Sequence, residues 1–568
     1  MQPKKQIREI LIQSLEQARS AAELDFQSLP AFEVEAPKQA EHGDLATNLA
    51  LVLAKPAKMA PRKIAEIISK NLAAPEGMLQ KVEIAGPGFI NFFIEDSYWH
   101  RVLREIYGQG LAYGNCGLGA GQKVQVEFVS ANPTGPLHIG HGRGAALGDA
   151  LANLLAAAGY EVVREYYIND VGRQMLMLGK SLYFRVLELM GVQVEFPADG
   201  YQGDYLKDLA RQYLAEHGPL KKVPNETWII KYQDPDYIPV PSMEMKKYAE
   251  KNILEGIKHD LEDFGVVFDR WFSEAELIRQ GIMQKSLSLL QEKGYLYDED
   301  GALWFRASQF GDEKDRVVQR SNGATTYFAS DIAYHLQKFQ EGYDLVVDIW
   351  GADHHGYVPR LQAAVQALGC GSEWLKAILV QLVSLLRHGE PVAMTTRGGT
   401  FVTLREVIDE VGKDAARFIF LTRRADAHLD FDLELAKSQS PENPVYYVQY
   451  AHARLASVFR QAAAQEIRVP EPAPEFFALM KLPEEISLLK MLAHYPELVE
   501  AAARNLEPHR ITYFLTELAS QLHSYYYKHR FISEDLPLSR ARLCLVQAVQ
   551  TVLAHGLRLL GVAAPETM

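Results

Sequence analysis

The residues best suited to chemistry lie in one short loop near residue 140. Two histidines, His138 and His141, stand one helical turn apart, and glycines occupy positions 140, 142 and 144. A strand-like run precedes this loop and a helix-like run follows it, so the histidines fall at the start of a helix. The N–H groups at a helix N-terminus attract phosphate, and two imidazoles beside them can donate further hydrogen bonds to phosphate oxygens. The loop therefore predicts a phosphate-binding site, in which glycines let the ligand approach the backbone.

The same loop is open to a second interpretation as a dinucleotide site. The series Gly140-x-Gly142-x-x-Ala145 matches a relaxed dinucleotide fingerprint, with Glu161 or Glu165 placed to bind a ribose. The protein would then be an NAD-dependent dehydrogenase. That fingerprint normally begins directly after its strand, whereas about ten residues and two prolines intervene here.

A metal site is a third interpretation. His138 and His141 have no further ligand at a recognisable spacing, and Asp353, His354 and His355 form only a loose cluster. We therefore expect no protein-bound zinc and no metal ligands. For the motif taken alone, a purely structural role also stays open, in which the two histidines only cap the helix.

The elements that must position this loop form a strand–helix–strand unit. Residues 123–129 alternate in hydropathy as a strand does, apolar residues from 147 to 158 recur on one helix face, and residues 160–168 return as a strand. Such a unit predicts a parallel sheet with a right-handed crossover, and ligands bind at the carboxyl ends of such strands. Short apolar runs at 344–350 and 378–383 predict a second parallel half.

Pattern and composition divide the chain into four parts. These are an N-terminal α+β domain at 1–112, a Rossmann-like α/β core at 113–385 with a helical insertion at about 175–320, a connecting region at 386–440, and an all-α helical bundle at 441–568. The fold class is therefore multidomain.

The N-terminal part begins with an amphipathic helix. Further helices are predicted at 45–54 and 61–72, and a strand is predicted at 89–94. The segment 108–121, with six glycines, is typical of a mobile connector.

Composition sets wider limits. The chain has 568 residues, of which 48% are hydrophobic and 23% charged, which is typical of a globular protein with several cores. Its net charge of −13 argues against nucleic-acid binding by bulk attraction but leaves a local surface open. No apolar run approaches the ~18 residues that cross a membrane, no signal peptide is recognised, and the three cysteines lie far apart. We expect a cytoplasmic protein with no membrane association and no disulfides.

Longer stretches of the sequence carry a family resemblance. The tetrapeptide His138-Ile139-Gly140-His141 resembles the HIGH signature of class I aminoacyl-tRNA synthetases, and its flank at 127–135 is similar to that of arginyl-tRNA synthetases in particular. Four further blocks resemble the same family, in the same order, at 165–170, 326–334, 350–356 and 443–454. The resemblance extends across nearly the whole chain and is to the bacterial type of that family.

This resemblance implies a two-step ligase reaction. The arginine carboxylate attacks the α-phosphate of ATP, which forms arginyl-adenylate and releases pyrophosphate, and arginine then passes to the terminal adenosine of its tRNA. The implied partners are L-arginine, ATP with Mg²⁺ and the cognate arginine tRNA, and the family's habit is a monomer. Because charge builds on phosphoryl oxygens, catalysis is expected to be positioning and electrostatic stabilisation.

The resemblance also assigns residues to ATP. His138, His141 and Arg397 form the predicted catalytic set. The other predicted ATP ligands are Gly140, Gly142, Asp353, His355, Met394, Thr395 and Thr396.

Arginine binding demands acidic side chains, because a buried guanidinium has to be met by carboxylates. Family position assigns Glu127 and Asp331 to this role and Tyr327 to a flat wall over the guanidinium. Ser130 and Asn132 are expected near the α-amino and carboxylate groups. Without the surrounding motif, Glu127 would be interpreted as an outward strand residue in solvent.

The chain departs from the family at its second signature. Class I enzymes usually carry KMSKS or KMSKR, whose lysines hold the leaving phosphates, but residues 393–397 read AMTTR. No lysine stands at 134–136, just ahead of the HIGH sequence, either. We predict that Arg397 takes part of the phosphate role, with a solvated surface arginine as the alternative. The missing lysines also leave open a catalytically impaired, tRNA-binding relative.

Two tyrosine-rich segments mark the helical tail. Aromatic faces stack on unpaired bases and adjacent cations hold phosphates, and by resemblance this part is the anticodon-binding domain. The predicted tRNA-binding residues are Tyr446, Tyr450, Arg454, Tyr526 and Arg530. Any one of these tyrosines has the alternative of being a core residue. The N-terminal domain resembles the one that touches the tRNA elbow in this family.

Overall fold

A computed structural model of the protein describes residues 3–197, 199–221, 238–392 and 402–568. Its N-terminal part is an antiparallel sheet packed against helices. The helices are α1 (Pro3–Ser20), α2 (Leu49–Leu53), α3 (Pro61–Lys70), α4 (Asp96–Trp99) and α5 (Arg101–Gln109), and the strands are β1 (Val34–Glu35), β2 (Leu45–Thr47), β3 (Leu79–Ala85) and β4 (Phe89–Ile94). The strand order is β1-β2-β4-β3.

Most predictions for this part are confirmed. Helix α1 buries the apolar face that its spacing predicts, and the helix predicted at 61–72 and the strand at 89–94 occur as α3 and β4. The helix predicted at 45–54 is wrong in its first half, because residues 45–47 form β2 and pair with β4. Short apolar runs are compatible with either element, and here the neighbouring strand decides.

The glycine-rich segment 108–121 is packed against the core, contrary to the mobile connector that its composition suggests. The N–H groups of Cys116 and Gly119 each donate a 2.9 Å hydrogen bond to carbonyls at residues 157 and 158. A Cβ at Gly119 would lie only 2.4 Å from the ring of Tyr160. Glycine therefore permits close packing at this position.

The middle of the chain is a parallel sheet with helices around it. In chain order, the strands of this whole region are β5 (Lys123–Glu127), β6 (Glu161–Ile168), β7 (Arg270–Ser273), β8 (Leu296–Glu299), β9 (Ala302–Phe305), β10 (Arg316–Gln319), β11 (Leu345–Gly351) and β12 (Leu375–Val380). Its helices are α6 (Ile139–Ala157), α7 (Arg173–Leu189), α8 (Asp204–His217), α9 (Val240–Asp263), α10 (Glu274–Arg279), α11 (Ile282–Glu292), α12 (Tyr327–Gln340) and α13 (Val358–Leu368). The central sheet has the order β12-β11-β5-β6-β7 and is parallel throughout. The predicted strand–helix–strand unit is confirmed as β5-α6-β6.

Strand β5 lies at the centre of this sheet and is buried on both faces. Gln125 and Glu127, which the alternation places on a polar face, are 0% and 6% exposed. The interpretation of Glu127 as a solvent-facing residue is therefore wrong. Helices cover both faces of a parallel sheet, so a polar residue in its central strand indicates an internal contact.

Two predictions in this region need correction. The run at 378–383 spans the end of β12 and the start of another strand, so it is not one element. The segment at about 175–320 contains helices, as predicted, but it also contains strands that were not predicted, because β7 joins the edge of the central sheet and β8, β9 and β10 form an antiparallel sheet of their own. Strands of four residues are too short for a clear period-two signal.

The remaining elements follow the sheet. The strands are β13 (Val383–Arg387), β14 (Glu390–Pro391) and β15 (Leu429–Asp432), with helices α14 (Leu404–Val411), α15 (Lys413–Phe420) and α16 (Leu433–Lys437). The C-terminal helices are α17 (Pro444–Ala464), α18 (Pro474–Phe477), α19 (Pro483–Asn505), α20 (His509–Lys528) and α21 (Leu536–Leu559), which agrees with the all-helical prediction. Within the described part of the chain, the length and apolarity needed to cross a membrane are found in no helix.

Candidate active site

The candidate site lies at the carboxyl edge of the central sheet, where loops from several strands meet. The loop after β5 contacts β6, because the backbone N–H of Tyr167 donates to Ser130 Oγ at 3.1 Å. The loop after β6 contacts the start of α10, because the backbone N–H of Ala275 donates to Asp170 Oδ1 at 2.9 Å. Parallel strands end at one edge, so residues far apart in sequence gather there.

The loop after β5 begins with strained backbone. Val129 and Ser130 both have positive φ, at 66° and 39°. Left-handed backbone is uncommon for any residue except glycine and is a true outlier for a β-branched valine. Such strain persists where surrounding contacts impose it, and it clusters at functional sites.

The two histidines of the loop cap helix α6 reciprocally. Nδ1 of His138 accepts a hydrogen bond from the N–H of Gly140 at 3.1 Å, and Nδ1 of His141 accepts one from the N–H of His138 at 3.2 Å. The two rings stack with their centroids 3.7 Å apart. A nitrogen that accepts carries no proton, so each neutral ring keeps its N–H at Nε2.

Burial favours these neutral rings. It lowers the pKa of His138, and it lowers the pKa of His141 to about 3, with the neighbouring His138 adding to the effect. The two imidazoles therefore act at neutral pH as uncharged donors at the positive end of a helix dipole. Capping and ligand binding, which were alternatives in the sequence, are compatible, because capping uses only Nδ1 of each ring.

Glycine serves two purposes at the start of α6. A Cβ at Gly140 would lie 3.0 Å from the His138 ring, so the glycine lets that ring fold back over the helix end. A Cβ at Gly142 would lie 2.7 Å from the side chain of Leu404 in α14. Gly142 therefore makes room for a neighbouring helix, and its assignment to ATP stays a prediction.

The described residues that follow the second signature, 402–404, are hydrogen-bonded to the histidine loop. The N–H of Ile139 donates to the carbonyl of Val402 at 3.2 Å, and the N–H of Leu404 donates to the carbonyl of Leu137 at 2.8 Å. Thr403 then caps α14. The predicted ATP residues Met394, Thr395 and Thr396 and the predicted catalytic Arg397 lie outside the described residues.

Two acids, together called the acidic pocket, lie beside the loops after β7 and β11. Its first member, Asp331 of α12, is partly buried and accepts a hydrogen bond from Tyr357, which follows β11. Its second member, Glu274, is the first residue of α10 and is only 3% exposed. One carboxylate oxygen of Glu274, Oε2, is buried and has no hydrogen-bond partner.

The pKa values of both acids are raised in this pocket. Burial is the main cause and raises the pKa of Asp331 to about 6. Burial also raises the pKa of Glu274 to about 7, against the effect of a hydrogen bond from Ser330, and repulsion from Asp331 and Asp170 adds to the rise. A pocket with two such acids and a bare carboxylate oxygen is suited to a cation.

Sequence analysis missed Glu274. Its only signal is its position directly after a strand of the parallel sheet, and that strand, β7, was itself not predicted. Asp331 was predicted, and the structure places the two acids close enough for the charge of one to raise the pKa of the other.

Glu127 is buried next to this pocket with both oxygens already bonded. Ser130 Oγ donates to Oε1 at 3.0 Å, and Lys338 Nζ donates to Oε2 at 2.7 Å. The expected direct contact of Glu127 with a guanidinium stays a prediction, but its internal partners make it a poorer candidate than Glu274.

Four other predicted residues lie in the loops or at the helix starts of this region. Asn132 is half-buried and donates to Gln174 at the start of α7. Tyr327, one turn before Asp331 on α12, is 68% exposed, and its role as a wall over the guanidinium stays a prediction. Asp353 and His355 lie exposed in the turn after β11, where Nδ1 of His355 is 3.3 Å from the carbonyl of Ala352.

The described ranges contain no group of three or more His, Cys, Asp or Glu side chains arranged to hold a metal ion.

The predicted tRNA-binding residues form a second cluster, on α17 and α20. The guanidinium of Arg454 lies 4.5 Å from the ring centroids of both Tyr450 and Tyr526, and Tyr446 stacks on Tyr450 at 5.9 Å. Tyr450 is 37% exposed. The structure thus brings four of the five predicted residues together.

The fifth predicted residue, Arg530, lies beyond the end of α20 and is exposed. Tyr525, near the end of α20, is fully buried and donates to Glu485, so this tyrosine is a core residue.

Comparisons with known proteins find matches along nearly the whole chain. Three family models match the chain: the arginyl tRNA synthetase N terminal domain at residues 5–94, the class I (R) tRNA synthetase catalytic domain at 104–434, and the DALR anticodon binding domain at 448–568.

Relatives named arginine–tRNA ligase match over the full length. The one from Geobacter sp. is 54% identical over all of both chains, and the one from Coxiella burnetii is 48% identical over all of this chain and 99% of its own. Among solved structures, a putative arginyl-tRNA synthetase from Campylobacter jejuni has a TM-score of 0.74 at 34% identity, covering 84% of this chain and all of its own. That from Thermus thermophilus shares the fold, with a TM-score of 0.77 at 24% identity over all of both chains. The chain therefore belongs to the arginyl-tRNA synthetases, a family of class I ligases.

Proposed function

We propose that the protein activates arginine with ATP and transfers it to tRNA, with the acidic pocket as the arginine site and the imidazole pair as the phosphate site. The single observation that carries the proposal is the bare, buried Oε2 of Glu274 beside Asp331, at the same sheet edge as the paired rings. A buried carboxylate oxygen without a partner is costly, and a cationic side chain would remove that cost.

The guanidinium of arginine is placed between Glu274 and Asp331. A guanidinium presents several N–H donors in a fixed plane, so it can bond to two carboxylates at once. Binding ionises both acids, and the pairing is lost for any neutral analogue. A pocket that has to pair a charge rejects apolar side chains strongly.

The α-phosphate of ATP is placed at the start of α6. The Nε2–H groups of His138 and His141 donate to the phosphoryl oxygens, where negative charge grows as the arginine carboxylate attacks and pyrophosphate leaves. Donors fixed by a helix cap need no reorganisation during the reaction. Mg²⁺ enters with ATP and screens the leaving pyrophosphate.

The tRNA is placed across the C-terminal cluster. The stack of Tyr446 on Tyr450, with Arg454 held between Tyr450 and Tyr526, offers aromatic faces and a cation to an unpaired loop. We further propose a monomer that works in the cytoplasm, as the sequence suggests.

Pyrophosphate exchange tests this function directly. The full chain is assayed with each of the twenty amino acids, with and without tRNA. We expect exchange with arginine only, and by family resemblance we expect it to require tRNA. Exchange with another amino acid, or tRNA binding without any exchange, would refute the proposal.

A further inference from the structure

Three buried carboxylates form a row across the central sheet, and two of them lie close enough to Asp331 for their charge to raise its pKa. Glu127 of β5 pairs in register with Glu165 of β6 on one side and with Asp348 of β11 on the other. Their exposed fractions are 6%, 0% and 0%. Adjacent strands lie about 4.8 Å apart, so three like charges in register repel one another unless cations separate them.

Lys338 of α12 is the cation shared by two members of this row. Its Nζ lies 2.7 Å from Glu127 Oε2 and 2.9 Å from Asp348 Oδ1, and its side chain is 1% exposed. The second oxygen of Asp348 is 2.9 Å from His335 Nε2 on the same helix. The third carboxylate, Glu165, has separate partners, since Tyr334 donates to it and Arg270 Nε lies 3.2 Å from it.

Glu127 links Lys338 to the strained turn at Val129 and Ser130, which begins the loop after β5. The oxygen of Glu127 that Lys338 does not hold accepts from Ser130 Oγ at 3.0 Å. Ser130 is the second of the two residues with positive φ, and its Oγ is also fixed by the N–H of Tyr167. Glu127 therefore holds the turn from below, and Lys338 holds Glu127.

Through its own backbone, Lys338 also fixes helix α12. Asp331 lies seven residues before Lys338, which is about two turns of the same helix. Because Lys338 and His335 bond to strands β5 and β11, α12 can neither rotate nor slide without breaking buried ion pairs. The position of Asp331 at the carboxyl edge depends on that anchorage.

We propose that Lys338 is a positioning residue for arginine binding. By bridging Glu127 and Asp348, it fixes the positions of Asp331 on α12 and of the Val129–Ser130 turn. This inference rests on the proposed function. Lys338 does not reach the ligand itself, since it is buried beneath the pocket. Its effect falls on the acidic pocket, which is the arginine half of the site, and not on the imidazole pair, which is the phosphate half.

The test compares Lys338→Met, Lys338→Arg and a matched control, Arg417→Met. Arg417 is also a fully buried cation, paired with Asp149, but it lies against α6 and the C-terminal residues instead of the arginine pocket. Kinetic constants for arginine and for ATP are measured in tRNA charging, together with Tm.

For Lys338→Met we expect kcat/KM for arginine to fall about 100-fold, as a displaced positioning contact can cause, with KM for ATP changed less than about threefold. Lys338→Arg should recover most of that loss. Arg417→Met should lower Tm about as much as Lys338→Met does, and it should leave both substrate constants within about threefold of wild type. Equal effects of Lys338→Met on both substrates, or no difference from Arg417→Met, would overturn the inference.

Removing one partner of a buried ion pair can prevent folding. If Lys338→Met does not fold, the double variant K338M/D348N removes one opposite charge as well and is tested in the same way, with the same expected split. Failure of wild-type protein to use arginine would instead refute the proposed function.

Discussion

The acidic pocket and the imidazole pair are opposite in chemistry but alike in one respect: burial drives both towards their neutral forms. In the acidic pocket it raises the pKa of Glu274 to about 7 and of Asp331 to about 6. At the imidazole pair it lowers the pKa of His141 to about 3. These four side chains therefore carry less charge than their residue types suggest.

The difference between the two halves lies in what a ligand changes. A guanidinium favours ionised carboxylates, so arginine should expel protons from the acidic pocket. Phosphate oxygens need only N–H donors, which the capped imidazoles already present, so ATP should leave their protonation unchanged. The acidic pocket thus reaches its binding form only when arginine ionises it, whereas the imidazole pair has its binding form before ATP arrives.

Loss of either pocket acid should have the largest effect and should be confined to arginine. For Asp331→Asn and Glu274→Gln we expect kcat/KM for arginine to fall about 1,000-fold, or about 4 kcal/mol, because a buried guanidinium loses a charged partner. KM for ATP should stay within about threefold. Steady-state charging with each substrate varied in turn measures both constants.

A neutral control sharpens this test. Asp199→Asn removes an exposed carboxylate that pairs with Arg173 on the surface, and it should leave both constants unchanged. If Glu274→Gln behaved like this control, the guanidinium would have to bind elsewhere.

At the imidazole pair, capping and chemistry can be separated at His138. Asparagine is a good helix cap but has no group in the place of Nε2–H, so His138→Asn should keep stability and lower kcat about 100-fold. His138→Ala should lose the cap too and reduce the free energy of unfolding by about 1 kcal/mol. Charging assays and denaturant unfolding measure the two effects. A His138→Asn enzyme with wild-type kcat would show that these rings serve only the helix.

The pH dependence should differ between the halves. Below the raised pKa values of Glu274 and Asp331 the acids are protonated and cannot pair with arginine, so kcat/KM for arginine should fall about tenfold between pH 8 and pH 6. Burial lowers the pKa of both imidazoles, that of His141 to about 3, so KM for ATP should change less than about twofold. Parallel changes in the two constants would mean that the halves do not differ as described.

The C-terminal cluster should give the smallest effect and leave both halves untouched. Arg454→Met removes the cation held between Tyr450 and Tyr526, and we expect KM for tRNA to rise about tenfold, with KM for arginine and ATP unchanged. Charging at varied tRNA concentration measures this. An altered KM for arginine would indicate that this cluster acts on the catalytic domain.

Sequence alone predicted the elements around the imidazole pair because they are close together in the chain. The strand, the loop and the helix occupy consecutive residues, and the phosphate role of His138 and His141 stays a prediction. The stacking and reciprocal capping of the two rings could not be predicted, because ring geometry depends on Gly140 and on the strand pairing at Thr403.

The acidic half was predicted only in part because it is assembled from distant segments. Asp331 was found through a family block, but Glu274 follows a four-residue strand that no periodicity reveals. Glu127 was expected in direct contact with arginine, and its bonds to Ser130 and Lys338 depend on tertiary packing.

Proton release on arginine binding tests the central claim most directly. Arginine is titrated calorimetrically into the full enzyme with tRNA, in two buffers of different ionisation enthalpy, at pH 6.5 and pH 8.5. With acids of pKa about 7 and about 6, we predict release of roughly one proton at pH 6.5 and almost none at pH 8.5, with a smaller release for Glu274→Gln. Binding at pH 6.5 without proton release would contradict the assignment of these two acids to arginine.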